Sequence, residues 1–233
     1  MESVTKILPT TSVTSSSRRQ VAIKSFVLMA VLMMCVSSLS AQSFEYPEVS
    51  DGERIVVKSQ RVRPTISDFV TAYLSQRKDS TFFDKVYSEW QRYRQKLPLS
   101  ENVSLIVDTR NGYMHYEIVR PEEKDTMVME MCFWNCADGK RKLVCANTYW
   151  KMDGDYGWNT FIGASFYVYD NQKRFMRTVL SEDIGALYDG DGLSVFFLPR
   201  QGKDIRVSAS GSGELWDEVL VWDGYRFIPS EVP

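Results

Sequence analysis

The sequence predicts an α+β domain in which an N-terminal helical hairpin packs on a large antiparallel, meander-rich β-sheet that forms a sandwich or an open barrel. Between residues 67 and 97, apolar residues recur at three- and four-residue steps, as they do on one face of a helix. From Val103 onward, apolar and polar residues alternate. Asn-Gly and Asp-Gly pairs interrupt this alternation at short intervals, which is typical of strands joined by tight hairpins.

The chain begins with a segment typical of export. Arg18, Arg19 and Lys24 precede an uninterrupted apolar run over residues 26–36, and small residues follow up to Ala41. This order of charged, apolar and small residues is that of a secretory signal peptide. We therefore predict cleavage after Ala41 and an exported protein in the periplasm, on the outer surface or in the medium. The apolar run is shorter than the roughly 20 residues of a bilayer-spanning helix, so no transmembrane segment is expected after cleavage.

Two other kinds of leader are compatible with parts of the same segment. Cys35 lies near the position of a lipid anchor, although Met34 before it is bulkier than the small residue that lipidation favours. Arg18-Arg19 resembles a twin-arginine signal, although Val21-Ala22 matches that signal poorly. Ordinary export is the preferred interpretation, and lipid anchoring at Cys35 stays open at this point.

Removing the leader changes the charge of the protein. Residues 1–41 hold four of the 28 basic and one of the 30 acidic residues, so residues 42–233 carry 24 and 29, a net charge of −5. Such a charge argues against a nucleic-acid partner, which selects a basic face, and against docking on anionic lipid. A chain of roughly 190 residues is expected to form a single α+β domain over residues 42–233.

The expected elements follow in order along this domain. Arg54–Val62 is a candidate first strand. Ser67 is the expected N-cap of the first helix, because its hydroxyl can accept from a free backbone N–H. Residues 79–81 interrupt and recap the helical stretch, and Pro98 ends it. Helices are thus predicted over about residues 67–97, and about ten antiparallel strands over residues 103–230.

Each Gly-containing pair predicts the register of a hairpin if it forms a two-residue turn. Around Asn111-Gly112 such a turn places Asp108 opposite His115. Around Asp223-Gly224 it places Trp222 opposite Tyr225. A further turn at residues 170–173 is expected to join two more strands.

The third Asp-Gly pair predicts a disulfide. A two-residue turn at Asp138-Gly139 places Ala137 opposite Lys140 and, five residues further out, Cys132 opposite Cys145. Counting the alternation makes this a non-hydrogen-bonded pair with Cα atoms ~4.5 Å apart, at the short end of what a disulfide tolerates. Because exported proteins form such bonds, we predict a Cys132–Cys145 disulfide and a free, buried thiol at Cys136.

No cofactor and no metal site are predicted. Cys132 and Cys136 would lie about 13 Å apart along a strand, too far to bind one zinc ion. Residues 153–159 offer oxygens at alternate positions, as a calcium loop does, but lack the distal glutamate of an EF-hand.

Catalysis has few candidate residues. His115 is the only histidine, so a Ser/His/Asp or Cys/His site would have to include it, with Asp108 to orient the ring. We expect instead a cross-strand polar pair on a solvated face, and predict no catalytic residue. The alternative is a hydrolase that uses a pair of carboxylates on an extracytoplasmic substrate, because the sequence allows many such pairs.

Aromatic residues crowd the stretch from Trp134 to Tyr169. Most are expected in the core, because strands favour aromatic side chains. Residues 150–158 contain Gly and Asp as loops do, so this segment is expected to expose Trp150, Tyr156 and Trp158. Exposed aromatic rings suit a glycan, a peptide or an envelope protein as partner.

Two short segments support this location. The leader ends in Leu39-Ser40-Ala41-Gln42, and residues 198–205 read Leu-Pro-Arg-Gln-Gly-Lys-Asp-Ile. Both resemble uncharacterised exported proteins of Bacteroidetes-type bacteria. The resemblance implies an envelope or secreted location and transfers no catalytic residue. The sequence thus favours an exported, non-catalytic binding or structural module.

Overall fold

The computed structural model describes residues 44–77, 80–152, 155–156, 163–186, 193–211 and 214–230, which belong to a compact unit over Phe44–Pro233. The predicted signal peptide, its cleavage site and Cys35 lie outside the described residues. Two helices and two antiparallel sheets make up the described part, so the α+β class is confirmed.

The two helices begin at side-chain caps. Helix α1 spans Ile66–Gln76 and α2 spans Thr81–Arg94. The N-cap of α1 is Thr65, whose backbone N–H donates to the Asp68 carboxylate at 2.8 Å, a contact of the capping-box type. Ser67 therefore lies inside α1, and its predicted capping role is wrong. Ser80 caps α2 and accepts from the Phe83 N–H at 3.2 Å.

Twelve strands are described, somewhat more than the ten or so that the sequence predicts. They are β1 (Arg54–Val56), β2 (Val103–Asp108), β3 (Tyr113–Arg120), β4 (Asp125–Asn135), β5 (Arg141–Met152), β6 (Asp155–Tyr156), β7 (Ser165–Asp170), β8 (Phe175–Val179), β9 (Leu193–Phe197), β10 (Ile205–Gly211), β11 (Glu214–Trp222) and β12 (Phe227–Pro229). The first sheet has the order β1-β8-β7-β5-β4-β3-β2, with β6 paired to β5, and the second has the order β12-β11-β10-β9.

The two faces of the first sheet belong to different cores. Successive side chains on a strand point to opposite faces, so Met114 of β3 packs with both helices in one buried apolar cluster. Its neighbour Tyr113 belongs to a second cluster, which also contains Leu220 and Phe227 of the second sheet. The helices and the second sheet therefore contact opposite faces of the first sheet.

Aspartates at the start of hairpin turns set the observed registers. The Asp108 carboxylate accepts from the Asn111 N–H at 3.0 Å, and the turn occupies residues 109–112. Asp108 consequently lies opposite Tyr113 and His115 lies opposite Ile106, so the predicted Asp108–His115 pair is wrong. A four-residue turn shifts the register by two, which leaves every side chain on its predicted face.

The last hairpin shows the same effect. The Asp223 carboxylate accepts from the N–H groups of Tyr225 and Arg226 at 2.7 and 2.8 Å. Trp222 therefore lies opposite Phe227 instead of Tyr225. The Asp residue stabilises a wider turn than the Asp-Gly pair alone predicts.

Gly185 lies close against β12 of the second sheet, and a substitution there measures how close this packing is. Its φ is +65°, and a Cβ there would collide with the carbonyl oxygen of Phe227. Gly139 has the same φ of +65° but nothing within 4 Å of its Cβ position. We expect Gly139→Ala to lower the free energy of unfolding by about 1 kcal/mol through backbone strain alone. Gly185→Ala should cost about 2 kcal/mol more, because the backbone must also move. Urea unfolding of both variants measures the difference, and equal losses would contradict the close packing of Gly185 on β12.

Candidate functional site

The one histidine of the chain lies in a polar cluster on the face of the first sheet that meets the second sheet. We call Tyr113, His115, Glu117, Glu130 and Lys151 the His115 cluster. The three residues from β3 are spaced two apart and so share a face. Glu130 of β4 lies directly opposite His115 in the ladder. The cluster combines the groups on which acid–base chemistry at neutral pH would depend.

Both nitrogens of His115 contact carboxylates. Nδ1 lies 3.3 Å from Glu130 Oε1, and Nε2 lies 3.2 Å from Glu117 Oε2. The Tyr113 hydroxyl donates to the same Glu130 oxygen at 2.6 Å, and Lys151 Nζ donates to Glu117 at 3.4 Å. The imidazole thus bridges two carboxylates, each of which has a second donor.

Two side chains of the cluster region cover the edge of the second sheet. The backbone N–H of Leu198 donates to Glu130 Oε2 at 3.3 Å. Asn147, which lies opposite Glu130 in β5, donates from Nδ2 to the Phe196 carbonyl at 2.6 Å. In the described part of the chain, β9 pairs with β10 alone, so Phe196 belongs to a sheet edge, and Leu198 follows directly after that strand. Unpaired backbone groups at an edge require partners when they are buried, and Glu130 and Asn147 provide them.

The electrostatics favour a charged imidazole. Burial disfavours the imidazolium, but the hydrogen bonds to Glu130 and then Glu117 outweigh it and raise the pKa of His115 above its usual value. Burial, followed by the charge of Glu130, also raises the pKa of Tyr113. At neutral pH Tyr113 is therefore a neutral donor. The proton distribution matches the hydrogen bonds, because the carboxylates accept from groups that carry protons.

This arrangement leaves little room for catalysis by the cluster. One oxygen of Glu130 accepts from Tyr113 and lies near His115, while the other accepts from the backbone of Leu198. A carboxylate that acts as base or nucleophile must be free to approach a substrate, and Glu130 is only 6% exposed. Within the described ranges, no three His, Cys, Asp or Glu residues are placed to hold a metal ion.

Sequence reasoning identified His115 but not its carboxylate partners. Asp108, the predicted partner, instead pairs with Arg200, whose Nε lies 3.3 Å from Asp108 Oδ2. The sequence could have predicted the contact with Glu117, because this residue lies two positions from His115 and therefore on the same face of the strand. Glu130 required the pairing of β3 with β4, for which the sequence offers no short turn signal.

Of the three residues of the predicted aromatic site, the structure describes the side chain of Trp150 alone. Trp150 lies within β5 instead of a loop, and its ring packs against the helix-side core. Its indole N–H is buried and has no hydrogen-bond partner within the described residues. Tyr156 follows in β6, and its side chain, like the whole of Trp158, lies outside what the structure describes. The three residues therefore remain a predicted site.

The register of the predicted disulfide is confirmed, but the type of pair is not. Cys132 lies opposite Cys145. The N–H of Phe133 donates towards β3, to the Gly112 carbonyl at 3.3 Å, so the backbone groups of Cys132 face β5 and form a hydrogen-bonded pair. The prediction of a non-hydrogen-bonded pair is wrong, because the turn is closed by the Cys136 N–H on the Arg141 carbonyl at 3.0 Å.

The cysteines are free thiols in the structure. Cys132, Cys136 and Cys145 are all buried and none forms a disulfide, and burial raises the pKa of each thiol. In a hydrogen-bonded pair the Cα atoms stand ~5.5 Å apart, a separation that a disulfide also allows. The Cys132–Cys145 bond thus stays a prediction.

Comparisons with protein-family models, curated proteins and solved structures find no match to this chain. Neither helix in the described part is long and apolar enough to span a bilayer.

The raised pKa of His115 predicts a pH-dependent stability. An imidazolium whose pKa is higher in the folded than in the unfolded state stabilises the fold fully below the ordinary value of 6.5. This contribution is lost as the pH rises through the folded-state value. We expect the difference in unfolding free energy between wild type and His115→Gln to be largest below pH 6.5 and to fall as the pH rises beyond it. Denaturant unfolding over a pH series measures it.

Glu130→Gln serves as the matched control, because it keeps the shape of the side chain and removes the charge that stabilises the imidazolium. In that background, His115→Gln should show a much flatter difference across the same pH range. A wild-type difference that does not change with pH would contradict the proposed charge state of His115.

Proposed function

We propose that the protein is an exported protein of the bacterial envelope or periplasm that acts as a non-catalytic binding or structural module. One observation carries the non-catalytic part. His115 and Glu130, the residues best suited to acid–base chemistry, are engaged with each other, and Glu130 also bonds the backbone at the edge of the second sheet. Their role is to hold the two sheets together. The leader over residues 1–41 supports export.

The architecture that we propose is a helical hairpin on one face of the first sheet and a sandwich of the two sheets on the other. A shared apolar cluster supports the sandwich, because Trp134 and Phe166 of the first sheet pack with Phe227 of the second. The ring centroids of Trp134 and Phe227 lie 5.1 Å apart in an edge-on arrangement, which is a favourable geometry for aromatic pairs.

The partner that we propose is a glycan, a peptide or another envelope protein, with Trp150, Tyr156 and Trp158 as the candidate contact residues. Support comes from the partly buried ring of Trp150 near the end of β5, just before the sequence positions of Tyr156 and Trp158. Aromatic rings give such partners rigid contact area.

A binding module and a carboxylate hydrolase differ in what they do to an envelope polymer. We expect the processed protein, recovered from the periplasm of cells that express the full chain, to co-sediment with insoluble cell-wall polymer and to release no soluble fragments. Pelleting followed by reducing-sugar and peptide analysis of the supernatant measures both. Fragment release that is lost in Glu130→Gln or Glu117→Gln would identify the hydrolase instead. Release that both variants retain would point to a contaminant, and Asp204→Asn, an exposed acidic residue outside the cluster, serves as the neutral control.

Export predicts the chemical state of the recovered protein. Mass spectrometry should find an N-terminus at Gln42 and, without reduction, a peptide pair linked through Cys132 and Cys145, because the periplasm oxidises paired thiols. An unprocessed chain that stays in the cytosol would contradict export. A processed chain with both thiols free would contradict the disulfide alone, and a lipid on Cys35 would replace cleavage after Ala41.

A further inference from the structure

One end of the first sheet gathers cations that have no carboxylate partner. We call this group the basic end. It consists of three residues before α1, two around the β4–β5 turn and two at the β7–β8 turn: Lys58, Arg61, Arg63, Lys140, Lys142, Lys173 and Arg174. Within the described residues, none of the seven forms an ion pair. Their number contrasts with the net charge of −2 of the whole chain.

Backbone contacts bring the three segments together. The Val57 N–H donates to the Arg174 carbonyl at 3.0 Å, and the Arg174 guanidinium donates to the carbonyl of Ser59. The Asn171 N–H donates to the Lys140 carbonyl at 3.1 Å. The segment before α1 therefore lies along the β7–β8 turn, which in turn lies beside the β4–β5 turn.

Lys142 is the recessed member of this group. It is only 7% exposed, and its Nζ donates to the side-chain oxygen of Asn135 and lies 4.1 Å from the centre of the Phe133 ring. Burial, followed by the charge of nearby Arg63, lowers its pKa. Lysines are almost never this buried unless they are paired with an opposite charge, and the described residues supply none.

Three carboxylates adjoin the segments of the basic end in the sequence, but local contacts occupy them. Asp68 accepts from Thr65 at the start of α1. Asp138 pairs with Arg141, and Asp170 accepts from the backbone N–H groups of its own turn. The protein thus uses its nearby acids to shape turns and leaves the seven cations without partners.

We propose that the basic end binds an anionic glycan through the carboxylate or phosphate groups that recur along its chain. Neighbouring strands lie about 4.8 Å apart, and the segments that carry the cations lie at the ends of four neighbouring strands, β1, β8, β7 and β5. Their spread exceeds a single small anion and fits a row of charges. A concentrated field of one sign attracts such a partner even on a protein of opposite net charge. The inference rests on the proposed envelope location, where such polymers occur, and concerns a different surface from Trp150.

Three exposed residues allow the charge to be removed with little risk to folding. Lys58→Glu, Arg61→Glu and Arg63→Glu together reverse three charges of the basic end, all on exposed side chains without ion pairs. Lys85→Glu, Lys96→Glu and Lys124→Glu make the same change in total charge at exposed positions on α2, after α2 and in the β3–β4 turn. Circular dichroism and unfolding curves establish that both triple variants fold.

The experiment uses the processed product of the full chain and measures retention on four immobilised polymers. These are polygalacturonate, which carries carboxylates, a phosphomannan, which carries phosphates, and neutral dextran and mannan as controls. We expect binding to at least one charged glycan, weaker binding as salt is raised, and a loss of at least about tenfold in the basic-end variant. The control variant should bind within about twofold of wild type. The preferred glycan distinguishes carboxylate from phosphate recognition.

Several results would overturn the inference. Binding to neither charged glycan, or an equal loss in both triple variants, would show that the basic end is not a specific surface. Tighter binding to vesicles of phosphatidylglycerol, or to single-stranded DNA, would assign the surface to a membrane or a nucleic acid. If an exported protein that co-sediments with cell wall ignores both charged glycans, only this inference fails. If the chain stays in the cytosol, the proposed function fails whatever it binds.

Discussion

The edge of β9 imposes the constraint on which the packing of the second sheet depends. A strand edge presents backbone N–H and C=O groups that cannot be buried without partners. Here the first sheet supplies them from side chains, because Glu130 accepts from Leu198 and Asn147 donates to Phe196. Since these two side chains lie opposite each other on adjacent strands, they determine where β9 can lie. Two clusters of apolar side chains then complete the contact between the sheets.

Placing a carboxylate at this position explains the rest of the His115 cluster. A buried, unpaired carboxylate is costly, so Glu130 needs donors besides the backbone of β9. Tyr113 and His115 supply them from the neighbouring strand, and Glu117 and Lys151 extend the network towards solvent. The raised pKa of His115 therefore follows from the need to bury Glu130. The packing of the two sheets thus accounts for the partners of His115.

The sequence predicted which face of the sheet each side chain lies on better than it predicted which residues pair across two strands, and the reason is physical. Alternation and caps are local signals. They identified the antiparallel strands, the recapping within residues 79–81, where Ser80 is the cap, and the positions of Cys132 and Cys145 opposite each other. Turn length depends on whether an Asp carboxylate accepts from backbone N–H groups two or three residues later. At Asp108 and Asp223 it does, and both ladders shift by two residues without changing faces. Asp138 also accepts from the N–H groups two and three residues later, but there the extra turn residues fall on both sides of the Asp-Gly pair. The register of Cys132 with Cys145 is therefore as predicted, and only the hydrogen-bonding type of that pair differs.

Contacts between segments that are distant in the sequence could not be predicted from local patterns. The distribution of charge on the protein is an example. A net charge of −5 for residues 42–233 is an average over the surface, whereas recognition depends on the local field. Strand pairing, together with the contacts of Arg174 with Ser59 and of Asn171 with Lys140, brings the cations of three separate segments to one end of the sheet. Like charges held together repel one another, and the acids that would relieve this repulsion are committed to turns. A fold that keeps Lys142 recessed among these cations, with Asn135 as its only hydrogen-bond partner in the described residues, is organised to receive negative charge from outside the chain.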